Sequence, residues 1–223
     1  MGVLAVTALK YAESTIPERM VLQNGSDEKQ IPISFTIYLL RTENRLILVD
    51  AGCDTMPGFD MKYFISPAEL LRQNGITPSD ITDVVVTHSH HDHIDALRHF
   101  PDATVYLTEE EYEPAKPYLP QHCRIELFSE ETFPANGVRA LKIGGHSPGS
   151  CIVLFRMQNQ DFVICGDECY TRLCYDKNTP TGTSYNPQKS KDFLERFRPE
   201  QYHILFCHDN TMIPGRNGLY QIT

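Results

Sequence analysis

The sequence lacks any apolar run that approaches the roughly 20 residues needed to span a membrane as a helix. The apolar stretch 2–9 has no basic residues before it and no small-residue cleavage site after it, so it is not typical of a signal peptide. It is predicted to form a strand. The Met-Gly start also lacks the downstream Ser or Thr of a myristoylation signal. We therefore expect a cytoplasmic protein without membrane association.

Basic residues are also scarce, with 20 Lys and Arg against 29 Asp and Glu and a net charge of −9. Proteins that bind nucleic acids draw much of their affinity from clustered Lys and Arg side chains that neutralise phosphates. No nucleic-acid partner is expected, and a nuclease is a less favoured function.

Paired cysteine spacing is missing as well. The seven cysteines are an odd number, and only Cys165 and Cys169 are close together. Several lie in apolar, strand-like runs, so we interpret them as buried free thiols rather than a disulfide framework. Cys165 and Cys207 adjoin candidate metal ligands, but neighbouring residues in a strand face opposite sides, and both are interpreted as core residues.

Repeats, low-complexity tracts and long linkers are absent, and the most linker-like segment, 23–30, is too short to separate domains. With 22% charged and 41% hydrophobic residues, the composition is that of an ordinary globular protein. A chain of this length can bury a substantial core. We predict a single domain covering residues 1–223.

Apolar runs and turn signals predict a mixture of strands and helices. A hairpin is expected from 35–40 and 46–50, and a second from 151–157 and 162–165, with residues 158–161 as its turn. A short helix is expected between Ser66, a predicted N-cap, and Gly75. Other strands are predicted at 83–87, 105–107, 140–143 and 202–207, and other helices near 94–99 and at 190–197. This mixture indicates sheets covered by helices.

Four histidines and a carboxylate are concentrated in residues 88–93, directly after the predicted buried strand 83–87. Imidazole nitrogens and carboxylate oxygens are the ligands expected for zinc and similar divalent ions. A solvated His-rich loop is the alternative interpretation. Such a loop would not be accompanied by further histidines at the ends of other strands, so a metal site is favoured.

Three more residues with ligand side chains follow predicted strands. His146 lies in the tight turn 144–149, Asp167 follows strand 162–165, and His208 follows the last apolar run. Each alone is typical of a structural residue, but their shared position indicates that they complete one site. The other histidines lack this position and are interpreted as structural: His91, His99, His122 and His203.

The order and spacing of these residues resemble the metallo-β-lactamase superfamily, whose His-x-His-x-Asp-His motif matches residues 88–93. The resemblance implies an α/β (α+β) fold, a four-layer αβ/βα sandwich. It also implies that Asp50, in Asp50-Ala51-Gly52, supports the metal loop without binding metal. Flavodiiron proteins and glyoxalase II match less well, because the chain lacks the histidine-to-glutamate change of the first and the C-terminal extension of the second.

The resemblance further implies two divalent metal ions. Zinc is the metal we expect, and manganese and iron are also compatible with these ligands. One metal is expected to bind His88, His90 and His146. The other is expected to bind Asp92, His93 and His208, with Asp167 bridging the two. A hydroxide held between the metals would be the nucleophile of a hydrolase.

Within the superfamily, the element Asp167-Glu168-Cys169-Tyr170 is similar to the Asp-x-x-Tyr element of quorum-quenching N-acyl homoserine lactonases. The resemblance makes Tyr170 a candidate catalytic residue that polarises a carbonyl. For an ester or lactone substrate, the acid that protonates the leaving alkoxide would be Asp92 or a metal-bound water. The chain departs from these lactonases at Ala51, where they commonly have Thr, and at the Ile94-Asp95 pair.

We therefore predict a hydrolase that cleaves an ester or lactone bond of a small-molecule substrate. Three alternatives remain open: a phosphodiesterase or nuclease, a thioesterase similar to glyoxalase II, and a metal-binding protein without catalysis. The oligomeric state is not indicated.

Overall fold

A computed structural model describes residues 2–213 and 215–223. In this part of the chain the strands are, in order, β1 (Ala5–Pro17), β2 (Gln30–Arg41), β3 (Leu46–Val49), β4 (Asp83–Val85), β5 (Thr104–Thr108), β6 (Arg124–Phe128), β7 (Glu131–Ala135), β8 (Val138–Lys142), β9 (Cys151–Met157), β10 (Gln160–Ile164), β11 (His203–Leu205) and β12 (Gly218–Ile222).

The helices of the described residues are short. They are α1 (Glu18–Val21), α2 (Pro67–Gln73), α3 (His91–Ile94), α4 (Glu109–Ala115), α5 (Arg172–Lys177) and α6 (Pro187–Arg196). Short stretches of 3-10 helix cover Pro78–Asp80, Asp95–His99, Lys116–Tyr118 and Gly166–Glu168. None of the helices in the described ranges has the length and apolar character that a membrane crossing requires.

The strands form two sheets. The first has seven strands in the order β12-β1-β2-β3-β4-β5-β6, and the second has five in the order β11-β10-β9-β8-β7. The hairpin predicted from 35–40 and 46–50 is confirmed, because β2 and β3 pair in antiparallel register. From β3 to β6 the first sheet is parallel, so the carboxyl ends of these strands meet at one edge.

The second predicted hairpin is also confirmed, but its turn is tighter than expected. Gln158 and Asn159 have φ values of 52° and 64°, and Gln160 already pairs with Met157. Two consecutive residues with positive φ are the signature of a two-residue turn whose twist matches the flanking strands. The predicted turn 158–161 therefore includes two residues that belong to β10.

Alternating residues along each strand pack into two separate cores. Ile47, Val49 and Val85 of the first sheet contact Val153 and other residues of the second sheet, which places one core between the sheets. The neighbouring strand side chains Leu48, Val84 and Val163 point the other way. They pack with helix residues in the other core: Leu70 and Leu71 of α2, and Phe193 and Leu194 of α6. Helices thus cover the outer faces of two stacked sheets, and the predicted αβ/βα sandwich is confirmed.

Main-chain hydrogen bonds connect the two sheets at two places, which we together call the seam. At the first place, Thr36 N donates to Cys207 O at 3.0 Å, and Ser34 N donates to His208 O at 3.3 Å. At the second place, Cys151 N donates to Thr87 O at 2.8 Å. The seam lies where β4, β10 and β11 end, so the residues after these strands are brought together.

The sequence did not predict several elements. The strands β6 and β7 have mostly half-exposed or exposed residues, and both lie at sheet edges, so they lack a continuous apolar pattern. The helix α5 is one and a half turns long and is fixed by the Thr171 cap, whose hydroxyl accepts from Leu173 N. The predicted helix near 94–99 is a 3-10 segment.

Candidate metal centre

The loop after β4 is fixed by the buried carboxylate of Asp50. Its Oδ1 accepts from Thr87 N at 2.7 Å, and its Oδ2 accepts from Thr87 Oγ1 at 2.9 Å and from His93 Nδ1 at 2.8 Å. Asp50 has φ of 65°, a left-handed conformation that Asp tolerates better than most residues. Asp50 therefore supports the histidine loop, as the family resemblance implies.

All seven predicted ligand residues lie around one point. We call this set the ligand cluster: His88, His90, Asp92, His93, His146, Asp167 and His208. Their donor atoms form two groups in which all atoms lie within 4.8 Å of one another: His88, His90, His146 and Asp167 in the first, and Asp92, His93 and His208 in the second.

Asp167 lies between the two groups and directs one oxygen to each. Its Oδ2 is 3.3 Å from His146 Nε2 and 3.5 Å from His88 Nε2. Its Oδ1 is 3.1 Å from His208 Nε2 and 3.2 Å from His93 Nε2. Ligand atoms about 2.0–2.1 Å from a tetrahedral zinc ion lie roughly 3.3 Å from one another, so these separations suit a shared metal.

Contacts on the far side of three rings fix which nitrogen faces the centre. His208 Nδ1 donates to Ser34 O at 3.0 Å, and His88 Nδ1 lies 3.1 Å from Thr87 Oγ1. With His93 Nδ1 bound to Asp50, the Nε2 atoms of these three histidines are left facing Asp167. Such outer contacts are the usual means of orienting metal-binding histidines.

Several of the inward atoms have no hydrogen-bond partner among the described residues. They are His88 Nε2, His93 Nε2 and Asp167 Oδ1, all buried. Buried polar atoms are rarely left without partners, and an ion is one recognised explanation. The donor set, its spacing and these atoms together fit a divalent cation site.

The carboxylates make the centre attractive to positive charge. Burial alone would lower the pKa of His93, but the charges of Asp167, Asp50 and Asp92 raise it well above its ordinary value. On the opposite side, burial lowers the pKa of His146 well below its ordinary value, which keeps its imidazole neutral. A metal binds neutral imidazole, so an ion at this centre would displace a proton from His93, whereas His146 is already neutral.

Tyr170 lies beside the ligand cluster and is 7% exposed. The centroid of its ring is 5.1 Å from that of His208 and 5.8 Å from that of His146. Thr183 Oγ1 donates to the Tyr170 hydroxyl at 3.0 Å. Burial raises the pKa of Tyr170 well above its ordinary value, so the hydroxyl keeps its proton at neutral pH.

The histidines that the sequence assigned to structural roles lie outside the two ligand groups. His203 stacks on Phe162, and His99 Nε2 lies 2.7 Å from Asp54 Oδ2. His91 belongs to neither group, and its Nε2 donates to Thr55 O at 2.8 Å. Of the cysteines, Cys207 lies near Asp50 and His93, but it packs in the core between the sheets.

A cavity of about 290 Å³ opens next to the ligand cluster. One wall carries His90, Asp92, Asp167, His208 and Tyr170. Most of the remaining lining is apolar, and we call it the apolar wall: Ile16, Met20, Ile33, Phe35, Met56 and Phe59. These side chains come from β1, α1, β2 and the loop after β3, and His91 and Thr183 complete the lining. No sequence signal marked them, because they share no local motif.

Comparisons with known proteins match this architecture. Curated relatives include the N-acyl homoserine lactonase AiiB of Agrobacterium fabrum, 24% identical over 214 residues, covering 75% of this chain and 78% of the relative. A hydroxyacylglutathione hydrolase of Actinobacillus pleuropneumoniae is 27% identical over 182 residues, covering 79% of this chain and 66% of the relative.

Solved structures share the fold at lower identity. The crystal structure of a quorum-quenching N-acyl homoserine lactone hydrolase superposes with a TM-score of 0.83 at 20% identity, covering 98% of this chain and 97% of that one. The family match itself covers residues 36–208, which include every residue of the ligand cluster. The chain belongs to the metallo-beta-lactamase superfamily.

Proposed function

We propose that this protein is a metal-dependent hydrolase with a dinuclear centre. His88, His90 and His146 would bind one divalent ion, and Asp92, His93 and His208 the other. The proposal is carried by the position of Asp167, which has one oxygen within 3.5 Å of two histidines of the first group and the other within 3.2 Å of two histidines of the second. Zinc suits these ligands, as do manganese and iron.

When bound, two divalent ions would lower the pKa of a water molecule toward neutrality. They would also polarise the carbonyl or phosphoryl oxygen beside the bond to be cleaved. The chain's own residues prepare for this chemistry. Asp50 and Ser34 fix the rings of His93 and His208 from behind, so their Nε2 atoms stay directed at the centre. The carboxylate of Asp50 also adds negative charge, which offsets part of the positive charge of two bound cations.

The second part of the proposal is that the scissile bond is an ester or lactone. Tyr170 is placed beside His208 and His146, and its hydroxyl already accepts a hydrogen bond from Thr183. We expect the tyrosine's own proton to be donated to a carbonyl oxygen as negative charge develops there. Asp92 lines the same cavity and is our candidate for the acid that protonates the leaving alkoxide.

The cavity favours a substrate with an apolar part. Six aliphatic, thioether or aromatic side chains line it together with the ligand cluster, and none of the described residues that line it is Lys or Arg. A phosphodiester would be expected to meet basic side chains. An acyl ester or lactone with an apolar chain fits this lining better, which agrees with the names of the lactonase relatives. A cytoplasmic location stays a prediction.

A hydrolysis panel on metal-reconstituted protein tests the proposal. The substrates are an acyl lactone series, a glutathione thioester, a β-lactam and a phosphodiester, each assayed with metal and after chelation. We expect the acyl lactones or esters to give the highest kcat/KM, and chelation to abolish it. A preference for the thioester would favour the activity named in the hydroxyacylglutathione hydrolase relatives, and no turnover of any substrate would refute hydrolysis.

A further inference from the structure

The turn that carries His146 is held from both sides by buried carboxylates. On one side, Glu168 accepts from Gly145 N at 3.1 Å and from His146 N at 3.3 Å. It also accepts from Ser150 Oγ and Ser190 Oγ. Glu168 directly follows Asp167, so this contact ties two neighbouring parts of the ligand cluster together.

On the other side lies Glu111, a residue of α4 that is 3% exposed. Its Oε1 accepts from Ser147 Oγ at 2.5 Å and from Gly149 N at 3.1 Å. Its Oε2 accepts from Ser89 N at 2.8 Å and also from Ser89 Oγ. Four donors therefore converge on one carboxylate, two on each oxygen.

These donors belong to two different ligand segments. Ser89 lies between His88 and His90, whereas Ser147 directly follows His146. All three histidines belong to the first ligand group. Each oxygen of Glu111 binds one segment, so a single rigid carboxylate connects the main chain beside two ligands to the main chain beside the third.

The local sequence shows that α4 gives up its own cap for this contact. Thr108 and Glu111 occupy the first and fourth positions of a Thr-x-x-Glu capping box, in which each side chain would bond to the other's main-chain N–H. Thr108 has no side-chain cap bond, and its Oγ1 donates to Gly149 O at 2.8 Å instead. Both side chains are thus directed to the His146 turn.

Gly149 makes the approach possible. A Cβ atom at this position would lie 2.2 Å from Thr108 Oγ1 and 2.8 Å from Glu111 Cγ. A side chain here would push the turn away from α4 and from the carboxylate. Burial raises the pKa of Glu111, but the hydrogen bonds from Ser147 and Ser89 more than offset this effect, and the pKa lies below its ordinary value.

We propose that Glu111 is a positioning residue that sets the distance between the His88–His90 segment and His146, and so the affinity of the first metal. The inference rests on the proposed dinuclear centre, but it assigns a separate role: Glu111 contacts no metal or substrate and acts through Ser89 and Ser147. Outer contacts of this kind typically change metal affinity by about 10- to 100-fold.

The test is a chelator titration of the metal-loaded protein, in which metal release is followed directly. Wild type should release its ions in two steps, which His90→Ala and His208→Ala assign to the first and second groups. Glu111→Gln keeps the shape but presents an NH2 group to one pair of donors. In this variant the first step should occur at a chelator concentration about 10- to 100-fold lower than in wild type, and the second step should be unchanged.

Glu110→Gln is the matched control, since it makes the same change one residue earlier, at a surface carboxylate that pairs with Lys142. It should leave both steps unchanged. If Glu111→Gln does not fold, Ser147→Ala removes only one donor and should shift the first step in the same direction by a smaller factor. Unshifted release in these variants, or an equal shift of both steps, overturns the proposal. A wild type that binds no metal refutes the proposed function itself.

Discussion

Replacing Tyr170 with Phe removes one oxygen atom at the junction between the ligand cluster and the apolar wall of the cavity. The ring packs against His208 and His146 and would remain, so the ligand cluster keeps its shape. The variant loses the acceptor for Thr183 Oγ1 and the proton that we propose is donated to the substrate. Metal content should therefore be unchanged.

Two magnitudes follow from this geometry. Loss of an oxyanion donor costs roughly 2.7–4 kcal/mol in other enzymes, and sharing of the charge with a metal places Tyr170 at the lower end or below. Since about 1.4 kcal/mol corresponds to a tenfold change in rate, kcat should fall by up to about 100-fold. The single lost hydrogen bond to Thr183 should cost only about 1 kcal/mol in the free energy of unfolding.

The assay is steady-state hydrolysis of the best lactone or ester, together with metal analysis and thermal unfolding. The loss should appear in kcat with little change in KM, because the donor acts when charge develops. Tyr175→Phe is the control: that hydroxyl donates to Phe197 O at 2.7 Å, outside the cavity lining. If Tyr170→Phe turns over the substrate as fast as wild type does, its role as a donor is refuted.

Three further predictions follow from the site. His90→Ala and His208→Ala should each lower the content of divalent metal from close to two per chain, measured by elemental analysis; metal-free wild-type protein that does not respond to added metal would contradict this. Asp167→Asn should reduce activity and the content of the second metal together, because it removes the charge between the groups, and full activity in this variant would exclude a bridging role. Met56→Asp, in the apolar wall, should raise KM more for long acyl chains than for short ones; an equal change for all chain lengths would remove this wall from the substrate site.

Much of the ligand cluster could be predicted because its residues carry local signals. The segment 88–93 is dense in histidine, and His146, Asp167 and His208 each follow an apolar strand. Strand ends on one edge of a sandwich lie close together, so sequence order and hydrophobic pattern indicated one shared site. The division of these residues between two metals was implied by the family resemblance. The structure brings all of them into two groups of neighbouring donor atoms.

The residues around the cluster could not be predicted in the same way. Glu111 belongs to an ordinary Thr-x-x-Glu pattern that reads as a helix start, and only the folded chain reveals that it binds Ser89 and Ser147 instead. Thr183 lies in a loop without any pattern. The apolar wall draws on segments far apart in the sequence, so its members have no common period to detect.

The seam between the sheets has a consequence for tolerance to mutation. Each ligand group takes residues from both sides: His88 and His90 follow a strand of the first sheet and His146 one of the second, whereas His93 follows the first sheet and His208 the second. An ion bound to either group would therefore connect the two sheets through its ligands. An ion that binds the folded chain but not the unfolded chain adds about 2.7 kcal/mol to the free energy of unfolding when the free metal concentration is 100 times Kd. A cell rich in the metal would therefore allow this protein to accumulate core substitutions that a metal-poor cell would eliminate.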